Sequence, residues 1–294
     1  MRDAAFQGLA VGFFDGVHLG HQAILKGADA ALTFRNHPLT VLAPEKAPRL
    51  IMSCEERVAT IRACGVENVE VLDFTPELAE MSAEKFASEY FLTARGRKEA
   101  QRIVCGENWR FGKGGEGSAE FLRGMGIEVT VAPYAEHKGE RVSSSRIRAC
   151  LERGEIEDAN AMMGRRYQVS GFRFQGKGLG GKIGYPTVNL EISERELDEL
   201  GESSRICLRR GVYEVEVGGA KAIANYGIAP TMGDRAWSSP VLEIYILQST
   251  PTPLIYTSNS TEVEFVRFIR PERKFDSLDD LRRQIAADCA KITA

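Results

Sequence analysis

The hydrophobic pattern of this chain changes period close to residue 164. Before that point, short apolar runs alternate with helix-like stretches. Leu9–Gly12, Ala30–Phe34, Val69–Asp73, Arg102–Cys105 and Glu128–Ala132 read as buried strands, and Ser53–Cys64, Ser82–Thr93 and Ser118–Gly124 as helices. Such alternation predicts a parallel, doubly wound sheet, which holds ligands beyond the carboxyl ends of its strands. Ser53 followed by Glu56 is a capping box, a strong helix start. Ser144–Met163 reads as one or two helices broken near Gly154, with Gly164–Tyr167 as a linker. Beyond it the period becomes two. Gln168–Phe174, Tyr213–Val217, Lys221–Asn225, Leu242–Leu247 and Glu262–Ile269 are β-like, and Gly218-Gly219 signals a hairpin. A short β-barrel is expected there, with Leu278, Leu281, Ile285 and Cys289 marking a terminal helix. Two domains follow, 1–164 and 165–294.

At 294 residues, the chain is long enough for two cores. Its 43% hydrophobic and 27% charged residues suit a soluble globular protein, and a net charge of −3 gives no basis for nucleic-acid or membrane-surface partners. No apolar run nears the roughly 20 residues that span a bilayer, and no signal-peptide pattern opens the chain. The six cysteines are scattered, without CxxC or zinc-ligand spacing. Reduced thiols and a cytoplasmic location are the expectation. A homo-oligomer is compatible with all of this.

The densest chemistry lies in Gly12-Phe13-Phe14-Asp15-Gly16-Val17-His18-Leu19-Gly20-His21, directly after the first strand. A helix start offers unsatisfied N–H groups and partial positive charge, so anions bind there. Glycines admit a ligand to the backbone, and two imidazoles add donors for phosphate oxygens. Two of the four histidines sit in this run. Eleven residues separate His21 from Thr33, so the intervening helix is expected to span about two turns.

This run resembles the HxGH signature of nucleotidylyltransferases, and its longer GxFDGVHxGH form resembles the bacterial bifunctional riboflavin kinase/FAD synthetase family. Thr33–Pro38, Gly106–Gly112 and Val142–Arg148 are similar to that family's TFxPHP, flavin-loop and ISSTxIR segments. The resemblance implies an N-terminal Rossmann-like doubly wound domain that joins FMN to ATP. There Gly12, Phe14, Asp15, Gly16, His18, His21, Ser143, Ser144, Ser145 and Arg148 would meet ATP, and His37, Asn108 and Phe111 the flavin. His18, His21 and Arg148 would stabilise charge on the phosphates. The chemistry of each segment agrees. Hydroxyls before an arginine form an anion clamp, a carboxamide both donates and accepts, and Trp109 and Phe111 offer either ring surface or core packing.

In the second half, the glycine-rich stretch Gly176, Lys177, Gly178, Lys182, Gly184 leads into Pro186-Thr187-Val188-Asn189. Glycine-rich loops wrap phosphates but also serve ordinary hairpins. The PTxN run resembles the PTAN motif of riboflavin kinases, which implies that these residues bind ATP and that Thr187 and Asn189 hold Mg2+. Gly211–Tyr213, Ala224–Thr231 and Arg270–Phe275 resemble further segments of that family's small β-barrel. Glu243 is the one charge in Val241–Leu247. Either it faces outward from a half-exposed strand, or it is a buried carboxylate that only function would retain. The resemblance implies a general base. The implied activities are phosphorylation of riboflavin to FMN and adenylylation of FMN to FAD. A chain with one degenerate domain, or a non-catalytic flavin or nucleotide sensor, remains the alternative.

Overall fold

The computed structural model describes residues 6–92, 100–176, 179–192, 205–228, 240–247 and 260–293. The chain forms two compact units, residues 1–147 with 195–205, and residues 148–194 with 206–294.

The first unit is built on β1 (Leu9–Val11), β2 (Ala30–Phe34), β3 (Asn68–Leu72), β4 (Arg102–Gly106) and β5 (Glu128–Ala132), paired in parallel in the order β3-β2-β1-β4-β5. The order reverses at β1, and such switch points open the crevice where ligands bind. Strand alternation explains the double winding. Leu9, Val11, Leu32 and Ile103 enter one core with Phe86, Phe91 and Leu122. Ala10, Ala31 and Val104 enter the other with Leu25, Ile61 and Val66. The connecting helices are α1 (Leu19–Leu25), α2 (Leu39–Leu42), α3 (Cys54–Ala63), α4 (Pro76–Ala79), α5 (Ala83–Ala87) and α6 (Ala119–Gly124). At seven residues, α1 has the expected two turns, because the crossover already begins at Gly12. Ser53 and Glu56 form the capping box that opens α3. The helix expected over Ser82–Thr93 is α5 continued by a π turn over Ser88–Leu92, while Thr93 lies outside the described residues. A short hairpin, β6 (Glu136–His137) with β7 (Glu140–Arg141), has no counterpart in the sequence reading.

Helices α7 (Ser144–Arg153) and α8 (Ile156–Met163) are separated at Gly154, whose φ of +78° favours glycine. Left-handed Gly164 ends α8, and β8 (Tyr167–Phe174) starts almost at once, so the connection is shorter than the linker expected. The second unit is a closed antiparallel barrel. Its further strands are β9 (Val188–Ile192), β10 (Gly211–Val217), β11 (Ala220–Ile228), β12 (Pro240–Ile246) and β13 (Ser260–Pro271), in the ring order β10-β11-β12-β9-β8-β13. A short helix, α9 (Leu179–Lys182), lies between β8 and β9. The hairpin at Gly218-Gly219 stands, with both φ angles positive and Val217 opposite Ala220. The terminal helix α10 (Leu278–Thr293) packs Cys289 and Ile292 with Val212 and Ile223 of the barrel wall. Arg270 meets Asp288 of α10 at 2.7 Å, where the Asp288 carboxylate is fully buried.

Candidate active sites

In the first unit, the turn from β1 into α1 is held in a costly conformation. Phe14, Gly16 and Val17 have φ of +58°, +79° and +36°. Positive φ is rare for a bulky residue and more so for a β-branched one, and such strain clusters where function needs a fixed loop. The surroundings hold it. Phe14 and Val17 are buried in the core, Gln22 Nε2 donates to Val17 O at 2.9 Å, and Thr33 Oγ1 donates to Phe13 O at 3.0 Å. Both Asp15 carboxylate oxygens accept the Ile51 N–H, at 3.0 and 3.2 Å, and Ser144 Oγ donates to Asp15 O at 2.9 Å. The Asp15 carboxylate therefore supports the loop.

The turn delivers His18 to the N-cap of α1. Its Nδ1 accepts the His21 N–H at 3.3 Å, so its hydrogen resides on Nε2, which is a donor. The His18 and His21 rings stack with centroids 3.6 Å apart, and Phe14 meets His21 edge-on at 5.3 Å. A Cβ at Gly12 would press on the Phe14 ring at 3.1 Å, and one at Gly16 would sit 2.8 Å from Ile51 Cδ1. Ser143 caps α7 through the Arg146 N–H at 3.3 Å. Ser145 is exposed, and Arg148 lies half-buried one turn beyond Ser144 on the same face of α7.

The segment after β2 is equally fixed. His37 Nδ1 accepts the Leu39 N–H at 3.1 Å, which again leaves the hydrogen on Nε2. Asn36 bonds Thr40 Oγ1 and both polar atoms of the Phe74 main chain. Phe13 lies edge-on to His37 with ring centroids 4.8 Å apart. Asn108 is exposed after β4. Phe111 belongs to the core, packed with Phe86, Phe91 and Phe121, and Trp109 stacks on it at 4.7 Å, only partly buried. Arg57 had no place in the sequence reading. It falls with Cys54 and Ile61 at helical spacing on one face of α3, and that spacing was its signal.

In the second unit, strand register assembles the site. Glu243 stands opposite Asn189 on one side and Asn225 on the other. Their neighbours Leu190, Leu242, Ile244 and Ala224 are buried, so the row Asn189–Glu243–Asn225 lies on the outer wall of the barrel. Glu243 is thus exposed, and the alternative of a buried carboxylate is set aside. Its carboxyl is nevertheless held above the ordinary range, first because surrounding protein partly replaces water and then by the charge of Glu272. Glu272 Oε1 accepts from Asn225 Nδ2 at 3.3 Å. A Cβ at Gly176 would collide with the Asn189 carboxamide, and one at Gly180 would lie 3.3 Å from Thr187 Oγ1. The glycine-rich stretch therefore presses against both PTxN side chains. Gly184 turns the chain at φ +88° toward Pro186. Lys182 ends α9, while Lys177, Gly178 and Ala229–Thr231 lie outside the described residues. None of the six cysteines is in a disulfide.

Residues 3–146 match the FAD synthetase family model, and residues 163–294 match that of riboflavin kinase. Proteins named bifunctional riboflavin kinase/FMN adenylyltransferase are close relatives. That of Listeria monocytogenes is 30% identical over 297 residues, 95% of this chain and 89% of its own. That of Pseudomonas fluorescens is 31% identical over 303 residues, 97% of this chain and 91% of its own. A solved chain titled a macrolide-efflux protein from Streptococcus pneumoniae has a TM-score of 0.79 at 28% identity, covering 98% of this chain and 94% of that one. Among the described residues here, no helix is long and apolar enough to cross a membrane. A nucleotidyl-transfer unit and a phosphoryl-transfer unit in one chain define a two-part transferase. The chain belongs to the bifunctional riboflavin kinase/FMN adenylyltransferase family.

Proposed function

We propose that residues 165–294 move the γ-phosphoryl group of ATP to riboflavin, giving FMN, and that residues 1–164 join FMN to a second ATP, giving FAD and pyrophosphate. The observation that carries this is the pairing, in one chain, of a histidine-capped helix start at a sheet switch point with an outward Asn189–Glu243–Asn225 row on a barrel. In the first reaction Glu243 accepts the proton of the attacking hydroxyl. In the second, His18, His21 and Arg148 donate to phosphate oxygens as charge shifts toward pyrophosphate, with Ser143–Ser145 beside them. No protein nucleophile is needed. His37 and Asn108 meet the flavin.

Thr187 and Asn189 are the residues suited to Mg2+. They bring a hydroxyl and a carboxamide oxygen, the donors a hard ion prefers, and Gly176 and Gly180 let the glycine-rich backbone lie against them where a Cβ would not fit. When bound, Mg2+ neutralises phosphate charge. The partners are small molecules, ATP, riboflavin and FMN, and the setting is the cytoplasm.

The test is chromatography of the products from riboflavin, ATP and Mg2+. FMN, FAD and pyrophosphate support both assignments. FMN alone sinks the adenylyl transfer, and FAD formed only when FMN is supplied sinks the kinase. Binding without turnover means a sensor.

A further inference from the structure

Arg57 is a fully buried cation to which neither reaction assigns a task. Removing a guanidinium from water is expensive, and an apolar side chain would fill the same space more cheaply. Its contacts indicate what it achieves. Nη2 donates to Phe34 O and to Arg35 O, at the carboxyl end of β2. The guanidinium carbon lies 4.2 Å above the Phe13 ring. Phe13 then meets His37 edge-on. One side chain on α3 therefore grips two loops at the crevice, the turn after β1 and the segment after β2.

We propose that Arg57 is a positioning residue for flavin binding, acting through Phe13 on His37. The inference rests on the assignment of adenylyl transfer to this unit. Two different devices set His37. Its main chain is framed by Asn36, which ties Thr40 and Phe74, and its tautomer is set by the Leu39 N–H. The Leu39 bond lies in the ring plane and leaves the ring to rock about that line, and Phe13 packs edge-on against it; Phe13 is held in turn by Arg57 over its face and by Thr33 at its carbonyl. A cation desolvated against an aromatic face is a stiff contact. It aims the His37 Nε2–H as a fixed donor for an acceptor on the edge of a planar heterocycle. The effect is on affinity for the flavin, because Phe13 bears on His37, while the phosphate-side histidines belong to the start of α1.

The experiment measures KM for FMN and kcat in FAD formation for Phe13→Leu, Arg57→Met and Arg57→Lys, with FMN affinity read separately by quenching of flavin fluorescence. The expected result is a rise of about tenfold in KM and in the FMN dissociation constant for Phe13→Leu and Arg57→Met, with kcat within about twofold of the parent. Arg57→Lys recovers part of the affinity, since it restores the charge without the fork. Phe13→Leu keeps every Arg57 hydrogen bond to the main chain, so it decides the matter if Arg57→Met does not fold. Unchanged KM and affinity in folded Phe13→Leu, or a loss confined to kcat, overturns the proposal. If the parent protein makes no FAD, the assignment of this unit fails, and the fluorescence titration still judges the role of Arg57.

Discussion

His18 caps the helix that carries His21, accepting the His21 N–H on Nδ1 at 3.3 Å while the two imidazoles stack 3.6 Å apart. The two histidines therefore differ in duty. His21→Ala removes the proposed phosphate donor and leaves the cap in place. FAD formation should fall by about 10²–10³-fold with FMN formation intact. His18→Ala removes the cap as well, and should lower stability by a further ~1 kcal/mol in denaturant titration. Glu243→Gln should produce the reverse split, losing FMN formation while converting supplied FMN to FAD. Product chromatography reads all three variants.

Gly16→Ala tests the strained turn. The added Cβ meets Ile51 Cδ1 at 2.8 Å in a backbone conformation that disfavours any L side chain. A stability loss of about 1–3 kcal/mol is expected, with FAD formation falling and FMN formation unaffected. Calorimetry alongside the two activity assays checks this.

Gly176→Ala tests the proposed metal cradle. Its Cβ displaces the Asn189 carboxamide, so the Mg2+ concentration for half-maximal FMN formation should rise by about tenfold or more. A Mg2+ titration decides it, and an unchanged midpoint with normal folding removes Asn189 from the ligand set.

Arg270→Met leaves the Asp288 carboxylate buried beside Gln284, which bonds it at 2.9 Å, and the exposed Lys291 at 3.7 Å. About 3–5 kcal/mol should be lost. Arg270→Met with Asp288→Leu should recover most of it, because the ionic cost disappears with both partners. Chemical denaturation of the single and double variants separates these outcomes.

Burial pushes the Cys105 thiol up to about 11. The folded chain therefore keeps a proton that the unfolded chain releases at lower pH. This contribution is fully present below the ordinary thiol value and is lost as pH rises toward about 11. The melting temperature of the parent should fall more steeply across that window than that of Cys105→Ala. Iodoacetamide at pH 8 should label exposed Cys64 well before Cys105.

Local signals were the legible ones. The Ser53–Glu56 box, the two-turn helix after His21 and the Gly218-Gly219 hairpin depend on neighbours within a few positions, and each forms as read. Strand β9 has a clean signal in the alternation of Val188, Leu190 and Ile192, but it overlaps the Thr187 and Asn189 motif, which reads as a loop. Asn189 can belong to both, since its strand neighbours face the core and it does not. Arg57 was hidden by its charge, for a cation beside Glu55 and Glu56 resembles a solvated face. Its buried partners are carbonyls more than twenty residues away, a pairing that no local pattern announces. The outward aspect of Glu243 likewise needed the register of three strands.

Closure of the barrel separates two kinds of evolutionary freedom by residue parity. In β9, β11 and β12, residues such as Leu190, Ala224, Leu242 and Ile244 point inward, and Asn189, Asn225 and Glu243 alternate with them. The interior can drift among apolar residues of similar volume without altering the working surface. If the outer row acts as proposed, it can be retuned for another acceptor alcohol without endangering the fold. A single-residue slip would exchange the two sets at once, so a ring without free edges also keeps the chemistry in register.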